Sequence, residues 1–481
     1  MKTEPSIPEL DVNEVLRATG GTLASGRRTT LFRGVTTDSR KVMQGSLFIP
    51  LVGEKFDGHD FIAYAVRDGV SGFLVQKGSK NKIRENFADA TIIRVDDTLK
   101  ALGDIAHFWR KKFRATVVAI TGSSGKTTTK EMLAGIAGLT KTIIKARGNY
   151  NNLIGLPLTV LQINAQHELA ILEMGTNTRG EIGRLTEIAE PDIGLITNIG
   201  PAHLEGFKSV ETVREEKLDL FRNMPDAGVA VLNLDDERLL VTDKDWGGRR
   251  ITFGFRRDAD VSAEDIEPMG MNGVGFTIRI GSFRQGITMS TAGNHNIYNA
   301  LAAAASSWAL GIDDFPLICQ GLTSFQPISG RMKIHGLKNG AFIIDDTYNA
   351  NPASFEEALK TLRDLKGNQK STVIMGDMLE LGVQAEAMHE GIGSLMADTG
   401  VDTIYLRGRL SPATAAGALK RKMSRDQIIF FATPDEIITG LASHVKKGDW
   451  ILVKGSRQTR MEHVVEKIIE TFGIEDSGGK K

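Results

Sequence analysis

Thr121-Gly122-Ser123-Ser124-Gly125-Lys126-Thr127-Thr128 follows the apolar run Ala115 to Ile120 and leads into a helical pattern. That order suits a loop that wraps backbone N–H groups around a nucleotide phosphate. Gly122 and Gly125 let the backbone approach phosphate oxygens, Lys126 brings positive charge to the β and γ phosphates, and Thr127 offers a hydroxyl to Mg²⁺. ATP is the expected nucleotide. The loop departs from the general pattern G-x-x-x-x-G-K-[ST], which needs glycine at 120; Ile120 stands there and the first glycine comes two places later.

In open α/β sheets ligands gather at the carboxyl ends of the strands, so the polar residues just past strand-like runs are the next candidates. Glu173 ends Leu-Ala-Ile-Leu-Glu, where a carboxylate could reach the nucleotide's Mg²⁺; an ordinary surface glutamate is the alternative. Asn198 and His203 follow the next strand in TNIGPAHLEGF. Imidazole is not magnesium's preferred ligand, so by residue type His203 reads first as structural. Lys217 lies on a helical pattern whose Val210, Val213, Leu218 and Phe221 form an apolar face, and a salt-bridged surface lysine is its default reading. A neutral amine there could instead take up CO₂, turning a cation into an oxygen donor for a hard metal. Asn294, His295, Asn296 and Asn299 open a further helix, as caps or as groups reaching an adenine. Arg331 follows a Pro/Gly/Ser-rich stretch and is either a surface arginine at a hinge or a guanidinium that swings toward phosphate. Asp345, Asp346, Tyr348 and Asn349 sit just past another strand, where acids could bind ribose hydroxyls and the ring could stack on a base.

These residues need a scaffold of alternating elements. Residues 1–114 read as a compact α/β unit, with strand-like SLFIPL and GFLVQ and helical DVNEVLRATG and ALGDIAHFWRKKF. From 115 strands and helices alternate (VVAIT, KTTTKEMLAGIAGL, TIIKA, LAILEMG, EIGRLTEIAE, DIGLITNIG), which implies a parallel sheet covered on both faces. Between 229 and 292 short strand candidates separated by Gly and Asp turns (VAVLNL, RITFGF, VGFTIRI, GITMS) predict an antiparallel extension of that sheet. An alanine-rich helix, NIYNALAAAASSWAL, precedes the linker Phe325 to Gly330. Alternation then resumes (FIIDD, STVIMGD, TIYLRG, IIFFA and WILVKGS with three helical runs), as in a smaller Rossmann-like sheet. The expected division is 1–114, 115–327 and 328–481, with EDSGGKK as a frayed tail. The fold class is therefore α/β with three domains, the central one a P-loop parallel-sheet ATPase.

The 481 residues carry 59 Lys plus Arg against 59 Asp plus Glu, so no broad basic field exists to hold nucleic acid or an anionic membrane. Small-molecule partners are expected. The single cysteine, Cys319, excludes an internal disulfide and sits in apolar surroundings that suit a buried, unreactive thiol. With no apolar run of about 18 residues and no secretory signal, a soluble cytoplasmic protein without membrane insertion is expected; a monomer is the expected state.

TGSSGKTTTKEM, GNYNNLIGLPLT, EMGTN, ITNIGPAHLEGF, GNHNIYNALAAAA, IIDDTYNANPASFEEAL and VIMGDMLELG together resemble the ATP-dependent Mur ligases of peptidoglycan synthesis. The resemblance runs from about residue 35 to about 465. DDTYNANP, GNYNN and GDMLELG discriminate, since sister ligases and folylpolyglutamate synthase share the phosphate loop. They point to the branch that joins D-alanyl-D-alanine to UDP-N-acetylmuramoyl-tripeptide. TTDSRKVMQGSLFIPLVGEKFDGHDF resembles the family's uridine-nucleotide module, with Thr37, Asp38, Ser39 and Arg40 in the matching turn. The resemblance implies three domains that bind, in order, the UDP-muramyl substrate, ATP and the incoming amine. It places residues 121–128 with Asn296, Asn299, Arg331 and Asp346 around the nucleotide. Thr127 and Glu173 would hold one Mg²⁺, and His203 with a carbamylated Lys217 a second. Asn149, Asn151, Asn152, Tyr348 and Asn349 are implied on the substrate side. The family commonly shows an Ala-Asn-His-Pro-like segment where this chain has Thr176-Asn177-Thr178-Arg179, so no substrate contact is assigned to Thr178 or Arg179.

The implied reaction makes an amide bond through an acyl phosphate, with Lys126, Lys217, His203 and Glu173 as its central residues and no protein nucleophile. A sister ligase adding another amino acid, an ATP-hydrolysing switch and a kinase releasing a stable phosphorylated product remain as rival readings.

Overall fold

The structure, a computed structural model, describes residues 7–79, 87, 89–239 and 245–475. At its centre is a sheet with the strand order Phe283–Met289, Val274–Ile280, Val261–Pro268, Arg249–Gly254, Val229–Asn233, Ile193–Ile196, Thr116–Thr121, Leu169–Glu173, Ile143–Lys145. Its middle strands are unbroken apolar runs because both faces are covered. Val117, Ala119, Ala170 and Leu172 enter one core, and Val118, Ile120, Leu169 and Ile171 enter the other. On the second face helix Asn294–Ala309 packs against helix Lys126–Ala137, and buried alanines at 300 and 302–305 let it lie close.

The antiparallel extension is smaller than the turn-rich texture predicts. Val229–Asn233 and Arg249–Gly254 run parallel with Ile193–Ile196 and with each other. The connection 234–248 is long enough for a parallel crossover, which needs about a dozen residues. Antiparallel pairing begins only where Val274–Ile280 lies between Val261–Pro268 and Phe283–Met289. The strand Val261–Pro268 escapes the sequence reading because its outer half loses the buried alternation.

The N-terminal sheet has the order Thr22–Ser25, Thr91–Val95, Gly72–Gln76, Leu47–Phe48, Val35–Thr36 and is parallel except for its first pair. Helix Thr98–Arg110, capped by the Asp97 carboxylate on Lys100 N at 2.7 Å, bolts this sheet to the central one. Trp109 donates its indole N–H to Ile163 O at 2.9 Å, and Arg110 Nε donates to Ala189 O at 3.2 Å. One apolar core therefore runs from Leu10 and Phe32 through Leu102 and Trp109 to Leu156 and Leu185.

The C-terminal sheet has the order Lys333–Gly336, Phe342–Asp346, Trp450–Lys454, Ser371–Gly376, Thr403–Arg407, Ile428–Phe430, parallel except for its first strand. Ile344, Val373, Ile404 and Leu452 face one core while Ile343, Ile374, Tyr405 and Val453 face the other. The linker segment 325–329 carries no helix or strand. Of the expected frayed tail, 475–481, Glu475 is held, its N donating to Gly336 O at 2.8 Å, and the remaining residues lie outside the described ones. Cys319 is buried in helix Phe315–Thr323, and burial pushes its thiol up to about 11, as an inert structural cysteine requires. Among the described residues no helix is long and apolar enough to cross a membrane.

Candidate active site

A cleft of about 740 Å³ opens between the carboxyl ends of the central strands and the C-terminal sheet. The phosphate loop forms its floor. Gly122 and Gly125 have φ of +146° and +80°, a region that L side chains rarely adopt. A Cβ on Gly122 would meet Thr197 Oγ1 at 1.8 Å, and one on Gly125 would meet Asn299 Oδ1 at 2.2 Å. Neighbouring loops fix the turn from below: Asn198 Oδ1 accepts from Ser124 N at 3.0 Å, Thr197 Oγ1 donates to Ser124 O at 2.6 Å, and Ser123 Oγ donates to Gly200 O at 3.0 Å. The first intrahelical N–H after the loop is that of Thr129, bonded to Gly125 O at 2.9 Å. The amides of Lys126, Thr127 and Thr128 are thus left for an anion at the helix N-terminus. Thr121 lies behind the loop, its buried hydroxyl donating to Met174 O at 2.9 Å and tying two strands together.

Gly125→Ala is expected to strain the turn by about 1–3 kcal/mol and to push Asn299 off its partners. Thermal unfolding should fall by a few degrees, and calorimetry should show lost nucleotide binding. Wild-type nucleotide affinity in this variant would remove the loop from the site.

At the heart of the cleft three elements meet on one hydroxyl. Thr127 Oγ1 donates to Glu173 Oε2 at 2.8 Å and accepts from Arg331 Nη2 at 2.9 Å. Glu173 is 4% exposed, so it is no surface glutamate, and its other oxygen accepts from Asn151 Nδ2 at 3.0 Å. Behind it stands the buried Lys130, whose Nζ donates to Ala146 O at 2.8 Å and lies 3.8 Å from Glu173 Oε2. Lys126 Nζ folds onto Gly122 O at 2.6 Å. Desolvation lowers the Lys126 pKa, with Glu173 opposing that shift and Arg331 adding to it.

Lys217 is not the surface lysine that its pattern suggests. It is 2% exposed and makes no hydrogen bond or ion pair among the described residues. Burial, with repulsion from Lys126 second, drives its pKa well below the ordinary lysine value. Its neighbour Glu216 is committed to the 176–182 turn, accepting from Gly180 N at 2.7 Å, Ile182 N at 2.8 Å and Thr176 Oγ1 at 3.1 Å. His203 lines the cleft at φ +53°, and its Nδ1 lies 2.6 Å from Glu380 Oε2 of the C-terminal sheet's loop. The close His203 imidazole holds the Glu380 carboxyl below its usual pKa. No cluster of three His, Cys, Asp or Glu side chains able to hold a metal exists among the described residues.

Asn296 and Asn299 form a buried amide pair beside the loop. Asn299 Nδ2 donates to Asn296 Oδ1 at 3.2 Å and its Oδ1 accepts from Thr129 Oγ1 at 3.3 Å, while neither caps its helix. Asp346 lines the cleft and is paired with the buried Lys454. Asp345 turns to the hinge, accepting from Gly330 N at 2.7 Å and Thr347 Oγ1 at 2.7 Å. The Tyr348 ring carries the Arg331 guanidinium 4.0 Å from its centre, so a base stacked on that face would have to displace it. Asn349 lines the cleft, and its carbonyl accepts from Lys454 Nζ at 3.1 Å. Asn149, Asn151 and Asn152 also line the cleft, although the Asn152 side chain is spent on Gly155 N at 2.8 Å.

Thr37, Asp38, Ser39 and Arg40 do not line this cleft. They form a turn after the Val35–Thr36 strand in which Arg40 Nε donates to Asp38 Oδ1 at 2.9 Å, holding that carboxyl down to about 2. The sequence reading missed Lys130, Glu380, Lys454 and Arg457. Lys454 and Arg457 sit at the end of WILVKGS, so the rule that ligands gather past strand ends could have found them.

A phosphate loop at the carboxyl ends of a parallel sheet, facing a second, mostly parallel sheet across the cleft, defines a P-loop nucleotide-binding architecture, and comparison with known proteins narrows it to a family. Three family models match: the Mur ligase family catalytic domain at residues 31–110, the Mur ligase middle domain at 120–307 and the Mur ligase glutamate ligase domain at 330–457. The chain belongs to the Mur ligase family. It is 35% identical to the UDP-N-acetylmuramoyl-tripeptide--D-alanyl-D-alanine ligase of Bacillus subtilis, over 96% of this chain and 98% of that one. The enzyme of the same name from Escherichia coli is also 35% identical, over 91% and 93%. A crystal structure of MurF from Acinetobacter baumannii superposes with a TM-score of 0.87 at 31% identity, covering 97% of this chain and all of that one. MurF ligase from Thermotoga maritima in complex with ADP gives 0.79 at 30% identity, over 91% and 97%.

Proposed function

We propose that this protein is an ATP-dependent, ADP-forming ligase that joins D-alanyl-D-alanine to UDP-N-acetylmuramoyl-tripeptide in peptidoglycan precursor synthesis. The observation that carries the reading is the Thr127 hydroxyl, bonded to Glu173 on one side and to Arg331 of the C-terminal part on the other, beside Lys126. A carboxylate and a triphosphate repel each other, and this cluster of cations is where that repulsion is offset. The tripeptide's carboxylate oxygen bonds to the γ phosphorus as the bond to ADP breaks. The dipeptide's amine nitrogen then bonds to the acyl carbon, phosphate leaves, and the amine gives up a proton. Positioning and charge neutralisation do this work, so no side chain need act as nucleophile.

In this reading residues 1–114 bind the UDP-muramyl substrate, 115–327 the ATP and 328–481 the amine. Thr37 to Arg40 serve the uridine end, while Asn149 and Asn151 border the groove toward the reacting carboxylate. Lys126 and Arg331 contact phosphate, and Asn296, Asn299 and Asp346 border the adenosine. The oxygen donors Thr127 and Glu173 fit a hard divalent cation completed by phosphate oxygens. His203 and Lys217 supply only nitrogens as they stand, so a second cation requires carbamylation of Lys217. Magnesium, when bound, would neutralise phosphate charge. The cytoplasm, where ATP and UDP-linked precursors reside, is the proposed location, and the monomer the proposed state.

The test is one assay: ATP, magnesium, UDP-N-acetylmuramoyl-tripeptide and either D-alanyl-D-alanine or single amino acids, read by phosphate release and by mass of the product. A pentapeptide product with the dipeptide alone is expected. Preference for a single amino acid would make this a sister ligase, and phosphate release without small substrates would make it a switch.

A further inference from the structure

Five Lys and Arg side chains line the cleft, and three of them are held by partners at its centre. Lys126 is bonded to Gly122 O and Arg331 to Thr127 Oγ1. Lys454 is buried against Asp346 and the Asn349 carbonyl. Arg238 lies close enough to Glu211 to add to the lowering of its pKa that the hydrogen bonds to its own backbone and to Ser209 begin. Arg457 is the fifth. Its side chain is 63% exposed, and its Nη1 is 3.2 Å from Glu462 Oε1. One pairing of that kind leaves the rest of the guanidinium fork for a second anion.

The base of this arginine is fixed. Ser456, two residues beyond the Trp450–Lys454 strand, is buried: its N donates to Asp377 O at 3.1 Å and its Oγ accepts from Leu379 N at 2.9 Å. Gly455 packs so closely that a Cβ would meet Thr459 Oγ1 at 2.6 Å and Gly376 Cα at 3.1 Å. The Tyr348 ring then relates Arg457 to the reaction centre. Arg331 lies 4.0 Å and Arg457 5.7 Å from the same ring centre, which bounds the separation of the two guanidinium carbons at under about 10 Å. An extended dipeptide spans about 7 Å. A dipeptide whose amine sits by the Arg331–Thr127 junction can therefore place its own carboxylate at Arg457.

We infer that Arg457 binds the C-terminal carboxylate of the incoming dipeptide and so makes the amine site select a free-acid peptide of two residues. The inference rests on the ligase reading above and names the residue that enforces its amine specificity. A charge-assisted pair of this kind is worth roughly tenfold or more in affinity. The test compares D-alanyl-D-alanine with D-alanyl-D-alaninamide as acceptors for the wild type and for Arg457→Ala, with product mass as the readout. The wild type should prefer the free acid by about tenfold or more. In Arg457→Ala the KM for the free acid should rise by a similar factor and the preference should vanish, while KM values for ATP and for the UDP-substrate hold. A retained preference for the free acid, or a rise in the KM for ATP instead, would overturn the assignment. If the wild type forms no peptide with either acceptor, the ligase reading itself falls and takes this inference with it.

Discussion

Lys126→Ala should abolish ATP turnover while the UDP-substrate still binds. The lysine follows Gly125 at the N-terminus of helix Lys126–Ala137, and its ammonium is folded onto the Gly122 carbonyl. In the ligase reading proposed above, that is where the β and γ phosphates would meet the free amides of the turn. Losing a desolvated cation that faces developing phosphoryl charge costs more than losing a neutral donor, for which about 10²–10³ in rate is usual. A drop of at least about 10³ is expected. The fold should tolerate the change. Burial already lowers the pKa of this amine, so the charge is not a source of stability, and removal leaves a gap that opens into the cleft rather than into a packed core. UDP-substrate binding persists because residues 1–114 have their own sheet and share a core with the central one at Trp109 and Leu156, away from the phosphate loop. Phosphate release measures the first effect and titration calorimetry with the UDP-tripeptide the second. Loss of both would point to a misfolded protein rather than to a missing phosphate contact.

What could be read in the sequence follows from how strongly each signal is written. The parallel strands of the central and C-terminal sheets are apolar throughout because both faces are buried, so Thr116–Thr121, Leu169–Glu173 and Ser371–Gly376 stand out as runs. Strand direction is not written in the same way. Val229–Asn233 and Arg249–Gly254 have the length and flanking turns of antiparallel strands, and nothing in their own residues marks the parallel pairing they adopt. The phosphate loop and Glu173 were legible because position along a strand fixes which end of the sheet a residue reaches. Tyr348 was legible as a cleft residue, but its partners were not: that Arg331 and Arg457 share its ring depends on a nearby segment and one more than a hundred residues further on folding onto one edge. Lys217 shows the limit most sharply. Its helix carries glutamates and arginines on the turns around it, which reads as a solvated face, yet Glu216 and Lys217 are both buried, Glu216 against the 176–182 turn.

Lys217→Ala should be nearly inactive, and short carboxylates such as formate or acetate should restore part of the rate. A lysine with 2% exposure and no anionic partner in contact costs too much to keep charged, so the neutral amine is the form this site favours. A neutral amine is a nucleophile. Its nitrogen bonds to the carbon of CO₂ and releases a proton, and the product is an anionic carbamate. That reverses the electrostatics: the repulsion between Lys126 and Lys217 becomes an attraction, and a lone amine nitrogen at Lys217 is replaced by two oxygens suited to a hard cation. Alanine leaves a void the length of the missing chain, which a small carboxylate can enter and in which it presents the same two oxygens; acetamide, with no charge, should not rescue. Two further readings keep the argument independent of rate. Wild-type protein equilibrated with ¹³C-labelled bicarbonate should show a carbamate carbon resonance that Lys217→Ala lacks, and activity in CO₂-depleted buffer should fall and recover when bicarbonate returns. Lys217→Arg should stay inactive with or without carboxylate, because a guanidinium keeps the wrong charge and fills the space. Full activity in Lys217→Ala, or the same carbon resonance in that variant, would return Lys217 to the role of a buried structural amine.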